Sequence, residues 1–311
     1  MYMRHVDAHP RRDAVSGGVE RAAVERHTGP PDETGTLRTP RKQMTDTGEA
    51  KMEGSSGSRV GCKRSYIVIP ARLASTRLPR KLLLRETGKP LIQHTYEAAM
   101  RATLPAGVCV AADHEEIAAE VRRFGGNVVL TDPQASCGTD RVAEVARSMA
   151  DVDIFVNVQG DEPEISGGAI DRAVEMLELQ DKAVMSTLAT PIRRRSQLED
   201  PACVKVVFGA GGRALYFSRS VIPHPREWND LLLATDPPHF FQHVGLYAYR
   251  REFLLRLAAM PQSPLEKTER LEQLRVLEAG YGILVGVVDE PTFGIDTPAD
   301  YRAFVERHRR G

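Results

Sequence analysis

Cysteine is scarce and scattered in this chain of 311 residues: Cys62, Cys109, Cys137 and Cys203 include no C-x-x-C pair. That spacing excludes a zinc ribbon and a disulfide framework, and a reducing, cytoplasmic setting is expected. No apolar run approaches the roughly 20 residues that cross a bilayer, so no membrane partner is expected. An excess of one charge is missing too, since 42 Lys and Arg stand against 42 Asp and Glu. Such a balance offers no broad field for nucleic acid, and any anionic ligand must be met by a local cluster. The Walker pattern G-x-x-x-x-G-K-[ST] is absent as well.

Residues 1–64 lack Ile, Phe and Trp and hold a single Leu, Leu37. A segment with so little apolar surface cannot offset the entropy of ordering, so a disordered N-terminal extension is expected there. The apolar core of a secretory signal is missing, Met44 and Met52 are alternative translation starts, and a partner-binding arm is the functional alternative. With 41% apolar residues, the rest of the chain can bury a sizeable core.

What is present centres on Ser65 to Lys81. Tyr66 to Ile69 reads as a short buried strand that Pro70 stops, followed by small residues carrying Arg72, Arg77 and Lys81. Small residues let backbone approach an anion, and these three cations suit a triphosphate. A basic loop on a solvated surface is the plainer alternative. Further on, strands and helices alternate: Pro90–Met100 helical, Val108–Ala112 extended, Ile117–Phe124 helical, Asn127–Thr131 extended, Asp140–Met149 helical, Asp153–Val158 extended. This pitch argues for an α/β fold with a mostly parallel central sheet and helices on both faces.

Two loops fall at the carboxyl ends of these strands, where such sheets bind ligands. Gln134 to Arg141 opens a helix with small residues and can hold a base or ribose; Ser136 or Thr139 could equally cap the helix. Gln159-Gly160-Asp161-Glu162-Pro163 places a carboxylate just past the fourth strand, either as a Mg²⁺ ligand or as a turn former. The section from about 183 to 260 is richer in strands, with a hairpin at Gly209 to Gly212 and an irregular Pro- and Asp-rich loop from Pro223 to Pro238. It reads as an insertion, its loop a lid or subunit contact. His243 and Tyr247 share one face of a strand, as ligands for a polyhydroxy acid or as a satisfied polar patch. Glu266 to Ala279 reads as one amphipathic helix with Leu271, Leu274 and Leu277 inward, Glu272 and Gln273 beside them, and Glu269 free to pair with Arg270 or Lys267. Asp296 is a cap for the closing helix, Ala299 to Arg307, or a second metal-binding carboxylate.

Several blocks carry a family likeness: Ile69-Pro70-Ala71-Arg72-Leu73-Ala74-Ser75-Thr76-Arg77-Leu78-Pro79 with Lys81, Val156 to Pro163, Ala214 to Arg219, His243 to Tyr249, Pro264 to Glu266, Leu271 to Arg275, and Gly294 to Pro298. In this order they resemble the 3-deoxy-manno-octulosonate (KDO) cytidylyltransferases, or CMP-KDO synthetases, over about Tyr66 to Val305. Arg80 stands where that family usually has Gly, Leu82 where it has Pro, and Cys137 where it has Ser. The resemblance implies a Rossmann-like nucleotide-diphospho-sugar transferase fold for 65–311, with the insertion forming a sugar pocket and dimer face. It implies that CTP and KDO are converted to CMP-KDO and diphosphate for lipopolysaccharide biosynthesis by a homodimer that uses Mg²⁺. It implies nucleotide binding by Ala71, Arg72, Arg77, Lys81, Gly138, Thr139 and Arg141, and metal binding by Asp161 and Asp296. Sugar contacts are implied for Gln159, His243, Tyr247, Glu272 and Gln273. The alternatives are 8-amino-KDO or another sugar acid as substrate, and a non-catalytic nucleotide-binding regulator, which would need no pair of metal-binding carboxylates.

Overall fold

Side chains alternate across a strand, and the first strand buries both of its faces: Ile67 and Ile69 enter one apolar cluster and Val68 another. That is how a central strand covered by helices on each side behaves. The computed structural model describes residues 63–289 and 293–310. The expected disorder over 1–64 and the starts at Met44 and Met52 fall, but for residues 63 and 64, outside them.

In chain order the elements are β1 (Ser65–Ala71), α1 (Leu91–Ala99), β2 (Val108–Ala112), α2 (Glu115–Arg123), β3 (Val128–Leu130), α3 (Gly138–Ser148) and β4 (Ile154–Asn157). Then come α4 (Gly167–Leu179), β5 (Met185–Pro191), α5 (Arg195–Glu199), β6 (Lys205–Phe208), β7 (Ala214–Ser218) and β8 (Phe241–Arg250). The chain closes with α6 (Arg251–Ala259), α7 (Pro264–Glu269), α8 (Gln273–Glu278), β9 (Ile283–Val287) and α9 (Pro298–Arg310). The sheet order is β3-β2-β1-β4-β8-β5-β9, with the β6–β7 hairpin attached to β8. On that path every strand except β8 runs the same way. Helices α1, α2, α4 and α9 cover one face, and α3, α6 and α8 the other.

Several expectations change. Pro70 does not end β1, because the ladder to β2 runs on through Pro70 and Ala71; a proline removes only its own N–H donor. The stretch 183–260 supplies β5 and β8, two interior strands of the main sheet, so it is not an appended insertion. Helix α5 and the loop after β7 enclose a small apolar cluster of Ile192, Leu198, Cys203, Leu233 and Phe240. The single helix expected over Glu266–Ala279 is two, because Arg270 adopts φ 54°, ψ 49° and reverses the chain between α7 and α8. Helices α4 and α5 were not anticipated at all.

In β8 the register against β5 slips: Thr187 faces Tyr247 and Leu188 faces Val244. The slip accommodates two extra residues, so parity holds and His243 and Tyr247 keep neighbouring rings, 5.4 Å apart. Thr187 Oγ1 lies 2.8 Å from the Leu246 carbonyl, 3.1 Å from that of Val244 and 2.9 Å from His243 Nε2. A hydroxyl has one proton, so it donates to a carbonyl and His243 Nε2–H donates to it.

Two predictions follow from this local chemistry. A left-handed residue costs roughly 1–2 kcal/mol unless it is glycine, part of which glycine loses in unfolded-state entropy. Arg270→Gly should therefore raise unfolding free energy by roughly 0.5–1 kcal/mol, read from the urea midpoint, whereas Arg270→Val should lower it. Burial holds His243 down at about 3 in place of its ordinary 6.5. The unfolded chain then binds a proton that the folded one refuses, and stability falls as pH drops from 6.5 toward 3. His243→Gln should make that acid limb shallower; an unchanged slope between pH 7 and 4 would contradict the assignment.

Candidate active site

The loop leaving β1 ends in a short 3₁₀ turn at Lys81–Leu83, which Arg80 enters at φ 56°, ψ 29°. This is the left-handed conformation that glycine adopts freely; the Arg80 side chain makes an exposed ion pair with Glu116. The turn aims Lys81 inward. Its Nζ donates to Asp161 Oδ2 at 2.5 Å, to the Ile295 carbonyl at 2.8 Å and to Asp296 Oδ1 at 3.2 Å. Arg77 reaches the same Asp296 oxygen at 3.1 Å. Because both carboxylate oxygens bond one nitrogen, their separation cannot exceed the sum of those two bond lengths. Asp161 and Asp296 therefore face one shared cationic position. Asp296 does not cap α9; the Thr297 hydroxyl and the Asp300 carboxylate exchange bonds with the backbone at that helix start.

These groups line a cleft of about 340 Å³ with Ala71, Arg72, Ser75, Gly138, Arg141, Gln159 and Glu272. Its walls meet closely. A Cβ on Gly138 would lie 3.2 Å from the Pro70 ring, and one on Gly160 would lie 3.0 Å from the Pro70 carbonyl. A side chain at either position would push the loops after β3 and β4 a few tenths of an ångström off the end of β1. Cys137, extended, occupies the N-cap of α3. Neither expected cap is used, since Ser136 donates to Asp140 at 2.7 Å and Thr139 to Glu272 at 2.7 Å. Burial, and then the charge of Glu272, push the Cys137 thiol up to about 12, so it stands there as a neutral thiol.

Arg141 is buried and clamps the loop before α3 through the Asp132 carbonyl at 2.7 Å and the Thr131 hydroxyl at 3.1 Å. It also faces Asp113 at 3.6 Å, whose other oxygen accepts from the Leu73 N–H at 2.9 Å. Arg141 thus positions both loops as well as lining the cleft. Asp113 was missed from sequence; its place at the carboxyl end of β2 was the available signal.

The residues expected on the sugar side separate. Gln159 and Glu272 line the main cleft. Tyr247 and Gln273 line a small neighbouring cavity with Thr139, Tyr249 and again Glu272, and Tyr247 donates to Gln273 Oε1 at 3.0 Å. His243 lines neither; it packs edge-on to Phe217 behind Tyr247. Several buried polar atoms here have no partner: Asn157 Oδ1, Glu162 Oε2 and Gln273 Nε2. Glu162, to which sequence reasoning gave no role, is pushed up to about 8 by burial and then by Asp161. Glu269 pairs with neither Lys267 nor Arg270 but accepts from Ser218 Oγ at 2.6 Å and the Arg219 N–H at 3.0 Å.

Among the described residues no three His, Cys, Asp or Glu side chains cluster as a metal site, and no helix is long and apolar enough to cross a membrane.

A family model described as Cytidylyltransferase matches residues 66–284. A 3-deoxy-manno-octulosonate cytidylyltransferase from Rhodopirellula baltica is 51% identical over 245 residues, covering 78% of this chain and 98% of that protein. One of the same name from Geotalea daltonii is 48% identical over 244 residues, covering 77% and 96%. Among solved structures, a CMP:2-keto-3-deoxy-manno-octonic acid synthetase complexed with CTP superposes with TM-score 0.74 at 38% identity, covering 80% of this chain and 99% of the other. A 4-diphosphocytidyl-2C-methyl-D-erythritol synthase from Anaerococcus prevotii, at 13% identity and TM-score 0.53, shares the fold alone. With its order of blocks, its cleft and these relatives, the chain belongs to the 3-deoxy-manno-octulosonate cytidylyltransferase family.

Proposed function

We propose that this protein transfers the cytidylyl group of CTP to KDO, giving CMP-KDO and diphosphate. One observation carries the reading: Lys81 joins Asp161 and Asp296 at the mouth of a cleft that also presents Arg72 and Arg77. In the reaction the sugar's anomeric oxygen forms a bond to the α-phosphorus while the bond from that phosphorus to the α,β-bridging oxygen breaks. The protein's part is positioning and charge neutralisation. Arg72, Arg77 and Lys81 neutralise the departing diphosphate. Backbone N–H groups at the start of α3, unpaired within the helix, lie beside the cleft for the base and ribose. Gln159 and Glu272 meet the sugar hydroxyls from the opposite wall.

The two carboxylates suit Mg²⁺, which is commonly held by one or two carboxylates together with substrate phosphates and water. The Lys81 ammonium between them is the stand-in: both oxygens already face a cation. When bound, Mg²⁺ would polarise the α-phosphate and lower the pKa of the attacking hydroxyl. Lys81, relieved of the carboxylates, is then free to turn to the phosphates. No side-chain base is assigned to the hydroxyl proton.

The same reading carries a cytoplasmic supply of activated sugar for lipopolysaccharide synthesis. It also carries a homodimer built on the 183–260 section, where Leu215 and Leu231 stand exposed. Diphosphate release from CTP, measured with KDO, 8-amino-KDO and sialic acid in turn, tests the substrate; turnover with sialic acid and not KDO would reject it. Asp161→Asn should lower kcat by at least a hundredfold while the thermal midpoint and CTP binding persist, and EDTA should do the same reversibly to the parent protein. Normal turnover by Asp161→Asn at ordinary Mg²⁺ would refute its metal role.

A further inference from the structure

We propose that the Thr139 hydroxyl positions Glu272 and is not a nucleotide contact, so that its hydrogen bond is the main tie from the nucleotide loop to the sugar-side helix. The inference rests on the reading that Glu272 meets the sugar acid.

Thr139 lies in the first turn of α3, 6% exposed, and is absent from the lining of the main cleft, although its neighbours Cys137 and Gly138 belong to it. Its one hydroxyl proton goes to Glu272 Oε2 at 2.7 Å, across 133 positions of sequence. A threonine hydroxyl has no second proton to offer a ligand. Glu272 itself is exposed and lines both the main cleft and the small cavity beside it; besides Thr139, its side-chain partner is the weakly donating Cys137 thiol.

The backbone beneath Glu272 is fixed independently. Arg275 pairs twice with Glu266, at 2.6 and 2.7 Å, and Gln273 accepts from Tyr247. What remains loose is the Glu272 side chain, whose rotamers the Thr139 bond restricts. Because Thr139 follows Gly138 directly, any shift of the loop around a nucleotide moves the hydroxyl that aims Glu272. A bond to a charged acceptor is strong enough for its loss to be read as roughly a tenfold change in affinity.

The test compares Thr139→Val, which keeps shape and removes the proton, with Thr139→Ser, which restores the hydroxyl. Diphosphate release gives KM for each substrate, and calorimetry gives the CTP Kd. Thr139→Val should raise the KDO KM roughly tenfold with the CTP Kd within twofold, and Thr139→Ser should return the KDO KM to the parent value. A larger shift in CTP Kd than in KDO KM, or no shift in either, overturns the proposal. Should Thr139→Val fail to fold, Thr139→Ala is read by the same criteria. If the parent protein turns over another sugar acid and not KDO, the substrate assignment fails while the same split, read with that acid, still decides the role of Thr139. No turnover with any sugar acid removes both.

Discussion

Lys81 joins three segments that lie far apart in sequence: its own loop after β1, the loop after β4 that carries Asp161, and the segment before α9 that carries Ile295 and Asp296. A backbone bond from the Ile295 N–H to the Asp161 carbonyl, 2.9 Å, closes the same knot independently. The lysine side chain is only 13% exposed, and an ammonium this far from water is costly unless it is paired. The reverse also holds, since two carboxylates aimed at one point repel each other unless a cation stands between them. The site is therefore held in a form that requires a cation before any substrate arrives. The Lys81 ammonium meets that requirement.

The sheet explains why a nucleotide and a sugar can be met from one cleft. The parallel half, β3-β2-β1-β4, brings its loops to a single end, where Arg72, Arg77, Lys81 and the start of α3 line one cleft. Strand β8, antiparallel between β4 and β5, runs its Tyr247 and Tyr249 beside Asn157 at that same end. Tyr249 and Asn157 are buried and Tyr247 partly so, and Asn157, Glu162 and Gln273 each keep an atom without a partner. Buried polar atoms usually find partners, and an unmet one costs roughly 1–3 kcal/mol. Their gathering beside the cleft fits a layer whose remaining bonds are completed by bound water or by ligand hydroxyls.

Much of this was legible because the signals were local. The strand and helix periods in residues 66–158 survive folding almost unchanged, since most elements there, β3 excepted, bury the apolar residues that set the period. Asp161 and Asp296 each had an ordinary alternative in sequence, a turn former and a helix cap, and only folding shows that both reach the Lys81 ammonium. What could not be read were effects set by distant partners. Nothing near Thr139 in sequence announces Glu272, and nothing near Glu269 announces Ser218 and Arg219. The run Glu266–Ala279 has helical periodicity on both sides of Arg270, so no period-based reading could find the break. The β-rich middle section misled in topology, because interior and appended strands share the same alternation and only pairing tells them apart.

The Arg270 break is connected to function by geometry. Successive residues of an α-helix are turned by about 100° around its axis. A helix continuing from α7 would therefore fix the directions of Glu272 and Gln273 from the face that buries Glu266 against Arg275. The left-handed residue ends α7 and redirects α8: the buried Glu266–Arg275 pair then joins the two helices, while Gln273 meets Tyr247 and Glu272 lines the cleft. Arg80 is left-handed as well. Among the described residues these are the two non-glycine positions with positive φ; Arg80 stands directly before Lys81, and Arg270 stands two residues before Glu272. Such backbone strain persists where surrounding packing over-determines it. Here the surrounding contacts are those that aim Lys81 at two carboxylates and Glu272 at Thr139, so the strain is a consequence of where the site requires its side chains to point.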